Sequence, residues 1–221
     1  MTACPVCRTP GSRDFRTIET RRYRRCDACG ATFLDPDQHP TLQEAVAHYG
    51  HHRNEVGDPA YRRFLSRLSA PLCRVLEPGS AGLDYGCGPG PALAAMLEEA
   101  GHSMALYDPI FAPHPEVLET RYDFITCTEV AEHFHQPADE FDRIGRLLQP
   151  GGWLAVMTCF QTDDDRFERW HYRRDPTHVV FYRAETLHHL AAQRGWTCTI
   201  PANDVALMQV PANGSGDGST A

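Results

Sequence analysis

An α/β fold is predicted by this 221-residue sequence: a mostly parallel sheet with helices on both faces, an antiparallel hairpin at one edge, and a small cysteine-rich module in front. Three observations carry the prediction. From residue 81 onward, strand-like apolar runs alternate with segments of helical periodicity, the pattern of parallel strands joined by crossover helices. After the last helical segment, two strand-like runs follow each other directly, which makes them a hairpin. Ahead of all this, two Cys-x-x-Cys pairs fall within the first 30 residues.

Composition sets the outer bounds. Hydrophobic residues make up 42% of the chain, enough to bury a sizeable core. The net charge is -8 and unevenly spread. Residues 1–30 hold seven arginines against Asp14, Glu19 and Asp27, so this end is basic and the remainder strongly acidic. Every fixed cation is an arginine, since there is no lysine. No apolar run reaches the roughly 18–20 residues of a membrane span. The first residues, MTACPVC, do not read as a secretory signal. A cytoplasmic location is expected, with reduced cysteines available to metal.

Element by element, Phe15–Tyr23 can form a short hairpin between the two cysteine pairs, and 41–49 is a short helical candidate. Tyr61, Phe64, Leu65, Leu68 and Leu72 recur at helical spacing, bracketed by Pro59 and Pro71. Ala81–Tyr85 reads as a strand ending in a glycine turn, 91–100 as a helix stopped by Gly101, and Ser103–Tyr107 as the second strand. The interval 109–121 is short and proline-rich, so a strand there is expected to be missing. Then come a strand at 123–127, a helix at 137–148, a Pro150-Gly151-Gly152 turn into a strand at 153–160, a helix at 184–194, and the hairpin runs 196–200 and 205–210. The predicted divisions are a ribbon at 1–35, a linker and helical cap at 36–75, the α/β domain at 76–212, and a Gly/Ser-rich disordered tail at 213–221.

The glycine turn carries the first chemical signal. Leu83-Asp84-Tyr85-Gly86-Cys87-Gly88-Pro89-Gly90 leaves a strand and opens a helix, and glycines let backbone approach a ligand closely. About 20 residues on, the second strand ends at Asp108, where an acid reaches the ribose of a nucleoside cofactor. This octapeptide resembles the first motif of class I S-adenosylmethionine-dependent methyltransferases. Y-D-F-I-T-C-T-E-V-A-E-H-F, residues 122–134, resembles their fourth strand and the turn after it, and R-L-L-Q-P-G-G-W-L-A-V-M, residues 146–157, their next helix, turn and strand. Together the motifs span most of residues 81–200 in the family's order. The resemblance implies a Rossmann-like domain that binds S-adenosylmethionine. Gly86, Gly88 and Gly90 then wrap the methionine part with Asp84 beside it, Asp108 holds the ribose, and Thr128 and Glu129 lie at the cofactor. Cys87 reads as small filler.

The cysteines carry the second signal. Cys4-x2-Cys7, 18 residues, then Cys26-x2-Cys29 is a four-thiolate zinc spacing. Such a zinc is structural, because four sulfurs leave no open position. A pair of redox dithiols is the alternative. Cys73, Cys127, Cys159 and Cys198 lie in apolar stretches and read as core. Arg21, Arg22, Arg24 and Arg25 read as a solvated rim, with RNA-phosphate binding as the alternative. Asp163-Asp164-Asp165 reads as a solvated loop.

Methyl transfer needs proximity, alignment and, for an O–H or N–H acceptor, a base. His133 lies four residues beyond Glu129, so in a helix the two would share a face. His178 ends the long connection Trp170-His171-Tyr172-Arg173-Arg174-Asp175-Pro176-Thr177-His178, whose aromatic residues suit an acceptor wall. His178 and His133 are the candidate catalytic residues, with His178 the preferred base. Trp170, His171 and Tyr172, together with His52 and Asn54 before the amphipathic helix, are the candidate acceptor contacts. The expected activity is methyl transfer to a small-molecule or glycan-like acceptor. An RNA methyltransferase and a non-catalytic cofactor-binding module are the alternatives.

Overall fold

The computed structural model describes residues 2–49 and 55–212. His52, Asn54 and the tail 213–221 lie outside the described residues. The elements in chain order are β1 (Arg13–Ile18), β2 (Arg21–Arg25), β3 (Thr32–Leu34), α1 (Leu42–Tyr49), α2 (Pro59–Cys73), β4 (Ala81–Tyr85), α3 (Ala92–Glu99), β5 (Ser103–Tyr107), β6 (Tyr122–Thr128), α4 (Pro137–Leu147), β7 (Leu148–Met157), β8 (Val180–Phe181), α5 (Ala184–Gln193), β9 (Thr197–Ala202) and β10 (Val205–Gln209).

Six strands form the main sheet in the order β5-β4-β6-β7-β10-β9. β5, β4, β6 and β7 run parallel, and β10 pairs antiparallel with both β7 and β9. The edge hairpin expected from the sequence is therefore present. So is the expected gap: residues 109–121 hold a single 3-10 turn, Pro115–Glu119, which leaves β5 at the edge.

The helices bury the apolar stripes their periodicity marks. α2 begins at Pro59, with the Asp58 side chain accepting from the Ala60 N–H, and buries Leu65, Leu68 and Leu72. It runs through Pro71 to Cys73, two residues past the proline expected to bracket it. In the last turn, proline removes only one intrahelical bond, and Leu72 beyond it still packs. α4 buries Phe141, Ile144 and Leu147, and α5 buries Leu187, Leu190 and Ala191. The Pro150-Gly151-Gly152 turn lies inside β7 as a bulge. Tyr122 pairs with Leu148 and then Phe124 with Trp153, while Gly151 takes φ +79°.

The N-terminal module is a second, four-stranded antiparallel sheet, β1-β2-β3-β8. Its last strand comes from the long connection after β7, so the two sheets are tied together. Leu34 also donates its N–H to the Val179 carbonyl at 2.8 Å. Tyr23, Phe167 and Phe181 meet edge to face at 5.0–6.0 Å, and a continuous apolar core runs from the cysteines to α5.

Candidate active site and metal centre

The cysteines come first in the chain. Cys4, Cys7, Cys26 and Cys29 are all buried, and their four sulfurs lie within 4.8 Å of one another. The Cys4–Cys29 and Cys7–Cys26 sulfurs are 3.7 and 3.5 Å apart. A zinc–sulfur bond of about 2.3 Å gives a tetrahedral edge of about 3.8 Å, so the four thiolates fit one structural zinc ion. The separations are far beyond the roughly 2 Å of a disulfide. Each pair sits on a tight turn, with Arg8 N–H donating to the Cys4 carbonyl and Gly30 N–H to the Cys26 carbonyl. Of the other cysteines, Cys127 is buried, while Cys73, Cys159 and Cys198 are half-buried at the edges of the core.

The arginines around the second cysteine pair are committed within the chain. Arg22 pairs with Asp35 and Asp37, Arg24 with Asp35 and Asp14, and Arg21 donates to the Pro176 carbonyl. Arg25 is buried and reaches Asp164, which also takes Arg183. Asp164 is thus a hub joining module and domain.

The glycine turn follows β4 at the carboxyl end of the parallel strands. Gly86 and Gly88 take φ +87° and +62°, conformations that side chains disfavour. A Cβ on Gly86 would come within 2.4 Å of Val130, so this glycine is required by packing. A Cβ on Gly88 would meet nothing within 4 Å, so the turn faces open space. Asp84 is buried, accepts from the Thr126 hydroxyl at 2.7 Å, and is pushed up to about 6 by burial. Asp108 closes the turn. Its Oδ2 accepts from Gly88 N–H at 3.2 Å, and its Oδ1 from the N–H groups of Ile110 and Phe111. At the end of β6, the Thr128 hydroxyl is buried without a hydrogen-bond partner among the described residues. The open cradle at Gly88, the orphaned Thr128 hydroxyl and the acid at Asp108 fit an S-adenosylmethionine molecule. Burial, with Asp84 and Asp108 nearby, pushes the Cys87 thiol up to about 12, as expected of filler.

Sequence spacing suggested that Glu129 and His133 share a helix face. They do not. Glu129 takes φ +54° and donates its N–H to the Met157 carbonyl, and only a 3-10 turn, Ala131–His133, follows. The left-handed residue breaks the helical register. Burial, then the charge of Glu132, raises the Glu129 carboxyl well above its ordinary range.

His133 and His178 do come together, with ring centres 4.7 Å apart. Between them stands Glu132, fully buried, which the sequence reading did not single out. One of its oxygens accepts from the Thr158 hydroxyl at 2.9 Å, and that hydroxyl lies 3.0 Å from the Tyr172 hydroxyl. Val179 donates its N–H to the Glu132 carbonyl, which seats the loop on the turn. Of the three aromatic residues expected to wall the acceptor, Tyr172 packs against His178 with ring centres 4.2 Å apart and the rings tilted. Trp170 lies 5.3 Å from Tyr172 and also packs on Phe167 and Phe181 at the contact with the module, and His171 is exposed. α1 adds Tyr49, whose ring meets His133 edge to face at 5.3 Å, and His48, 3.0 Å from Asp175. Burial pushes the Tyr49 phenol up to about 12, with Asp175, Glu132 and Asp108 adding negative charge around it.

A methyltransferase-domain family model matches residues 49–199. The chain belongs to this methyltransferase family. Among curated relatives, the ubiquinone biosynthesis O-methyltransferase of Sodalis glossinidius is 34% identical over 77 residues, 35% of this chain and 31% of that protein. That of Serratia proteamaculans is 32% identical over a segment of the same length, 32% of its own chain. The match thus spans about a third of the length of these curated methyltransferases. Among solved structures, a 1,6-didemethyltoxoflavin-N1-methyltransferase of Burkholderia thailandensis, with its acceptor and S-adenosylhomocysteine bound, superposes with a TM-score of 0.50. Identity is 19%, over 89% of this methyltransferase and 96% of that chain, which shows a shared fold.

Proposed function

We propose that this methyltransferase transfers a methyl group from S-adenosylmethionine to a small-molecule or glycan-like acceptor, with His178 and His133 acting at the acceptor end. The observation that carries the reading is the placement of two features at the carboxyl end of one parallel sheet. The Gly88 cradle follows β4, and the Glu132–His133–His178 cluster lies beyond β6 and β7. The sulfonium supplies an activated methyl group. The protein aligns the acceptor for in-line attack and takes up its proton where the acceptor is an O–H or N–H.

His178 donates from Nδ1 to the Tyr172 carbonyl at 2.7 Å, so its Nε2 carries the lone pair in the neutral ring. Tyr172 supports that ring, and the histidine is the proton acceptor in this reading. The names of the curated relatives, O-methyltransferases of ubiquinone biosynthesis, and of the toxoflavin enzyme support a small acceptor. The pairing of Arg22, Arg24 and Arg25 with carboxylates favours it over RNA.

Mass spectrometry of the purified protein for bound S-adenosylmethionine or S-adenosylhomocysteine tests the cofactor. A metabolite-pool screen for methyl uptake then supplies an acceptor. With it, His178→Ala is expected to cut turnover by ~10²–10⁴-fold while cofactor affinity stays nearly unchanged. Full turnover in that variant would make His178 structural.

A further inference from the structure

Three hydrogen-bond acceptors converge on one buried point with no donor between them. The second carboxylate oxygen of Glu132, Oε1, is buried and has no hydrogen-bond partner among the described residues. It lies 3.9 Å from His133 Nε2 and 3.9 Å from His178 Nε2. Both rings are anchored from behind. His133 Nδ1 lies 3.1 Å from the Thr177 carbonyl, and His178 Nδ1 lies 2.7 Å from the Tyr172 carbonyl. A carbonyl only accepts, so each Nδ1 is the donor, and in the neutral rings each Nε2 turns a bare lone pair toward Glu132. Lone pairs and a carboxylate facing one another out of water repel unless a proton or a metal cation lies between them, and one metal cation can meet all three at once.

We infer that Glu132, His133 and His178 bind a divalent transition-metal cation, a second metal site separate from the cysteine quartet. Two imidazoles and one carboxylate suit zinc, iron(II) or cobalt(II) better than magnesium or calcium, which take oxygen ligands. Imidazoles pinned through Nδ1 to backbone carbonyls are the outer-shell arrangement that orients histidine ligands. Metal–ligand bonds of about 2.1 Å place tetrahedral ligand atoms roughly 3.4 Å apart, so the 3.9 Å gaps need to close by about half an ångström. All three ligand atoms lie within 4.8 Å of one another. Asp175 adds a further carboxylate 3.9 Å from His178 Nε2.

The ligands come from two segments far apart in sequence, Glu132-His133 and His178, so the cation would also clamp the 170–178 loop onto the turn after β6. Three protein ligands leave a coordination position open. The use of that position, to polarise an acceptor oxygen in place of direct proton capture by His178, rests on the reading of this corner as the acceptor end. The binding itself does not.

Elemental analysis of the full chain, prepared without chelator and dialysed against Zn²⁺, tests the inference. Two zinc ions per chain are expected. Glu132→Gln and His133→Gln should each lower the count to one, and Cys4→Ser with Cys26→Ser should leave the other. His133 is only half-buried, so His133→Gln is the variant that keeps the fold if Glu132→Gln does not, with circular dichroism as the control. Cobalt substitution gives an independent readout. The second equivalent of Co²⁺ should bring visible ligand-field bands without added thiolate charge-transfer absorption, and both Glu132→Gln and His133→Gln should remove them. A wild-type count of one zinc, or a count of two that neither variant lowers, overturns the proposal. Cofactor affinity measured by calorimetry on the same samples separates this failure from failure of the methyltransferase reading.

Discussion

Asp108 shows how much one carboxylate can hold. Its oxygens already accept three backbone N–H groups, including that of Gly88 in the turn, and Oδ2 keeps capacity for a ribose hydroxyl. Asp108→Ala should therefore weaken S-adenosylmethionine binding by ~1–3 kcal/mol, through the lost charge-assisted bond and a loosened turn. Calorimetry showing unchanged affinity would remove the residue from the cofactor site. Asp84 makes a pH prediction. Burial pushes its carboxyl up to about 6, so in the free protein it is largely protonated at pH 5 and ionised at pH 7. A cofactor ammonium beside it binds the ionised form better. Affinity should rise as pH climbs from about 5 to 7, and Asp84→Asn should flatten that rise. An equally steep rise in the variant would locate the titration elsewhere. Glu132, by contrast, is invisible at this scale in the sequence. The stretch Glu129-Val130-Ala131-Glu132-His133 names two acids and does not say which one folds inward.

At the scale of elements, β8 is the decisive strand. It has two residues, yet it completes the cysteine-module sheet by pairing with β3, and His178 lies two residues before it. The cysteine module and the loop that carries His178 are therefore one mechanical unit. The first ~30 residues are too few to bury a core of their own, so a zinc ion on the four cysteines would stabilise them. Cys4→Ser with Cys26→Ser should release the cysteine-bound zinc. Amide-exchange protection should fall across β1 to β3, and also in the stretch from Phe167 to Phe181. Protection lost from the module alone would mean that the loop holds itself. The bulge in β7 makes a related point: a Pro-Gly-Gly signal reads as a turn, and the neighbouring strand lets pairing resume on the far side.

At the scale of the whole molecule, charge bears on the proposed small acceptor against RNA. The chain carries -8 overall, and three of the four arginines by the second cysteine pair meet carboxylates. No salt-dependent RNA binding is expected at physiological ionic strength. A tight complex whose affinity falls steeply with salt, and less steeply after Arg21, Arg22 and Arg24 are neutralised, would reverse that conclusion. Among the described residues, no helix is long and apolar enough to cross a membrane. The glycine turn after β4 and the Glu132-His133 turn after β6 both lie at the carboxyl edge of the sheet, where open α/β sheets take their ligands.

What the sequence determined by itself is local or periodic. The alternation of strand and helix, the edge hairpin, the gap after β5, the glycine turn with its acid, and the cysteine quartet all depend on spacings of about 30 residues or fewer, and chain geometry turns such spacings into shape directly. The tertiary structure alone decided the rest. It put His178 against His133 and Glu132 across more than 40 residues of chain and turned Glu129 out of helical register. It set Trp170 between Tyr172 and the module contact, and lent β8 to the cysteine-module sheet. Those outcomes follow from which groups must be buried together and which backbone bonds must be satisfied at once. They are conditions on the folded whole, and no local spacing encodes them.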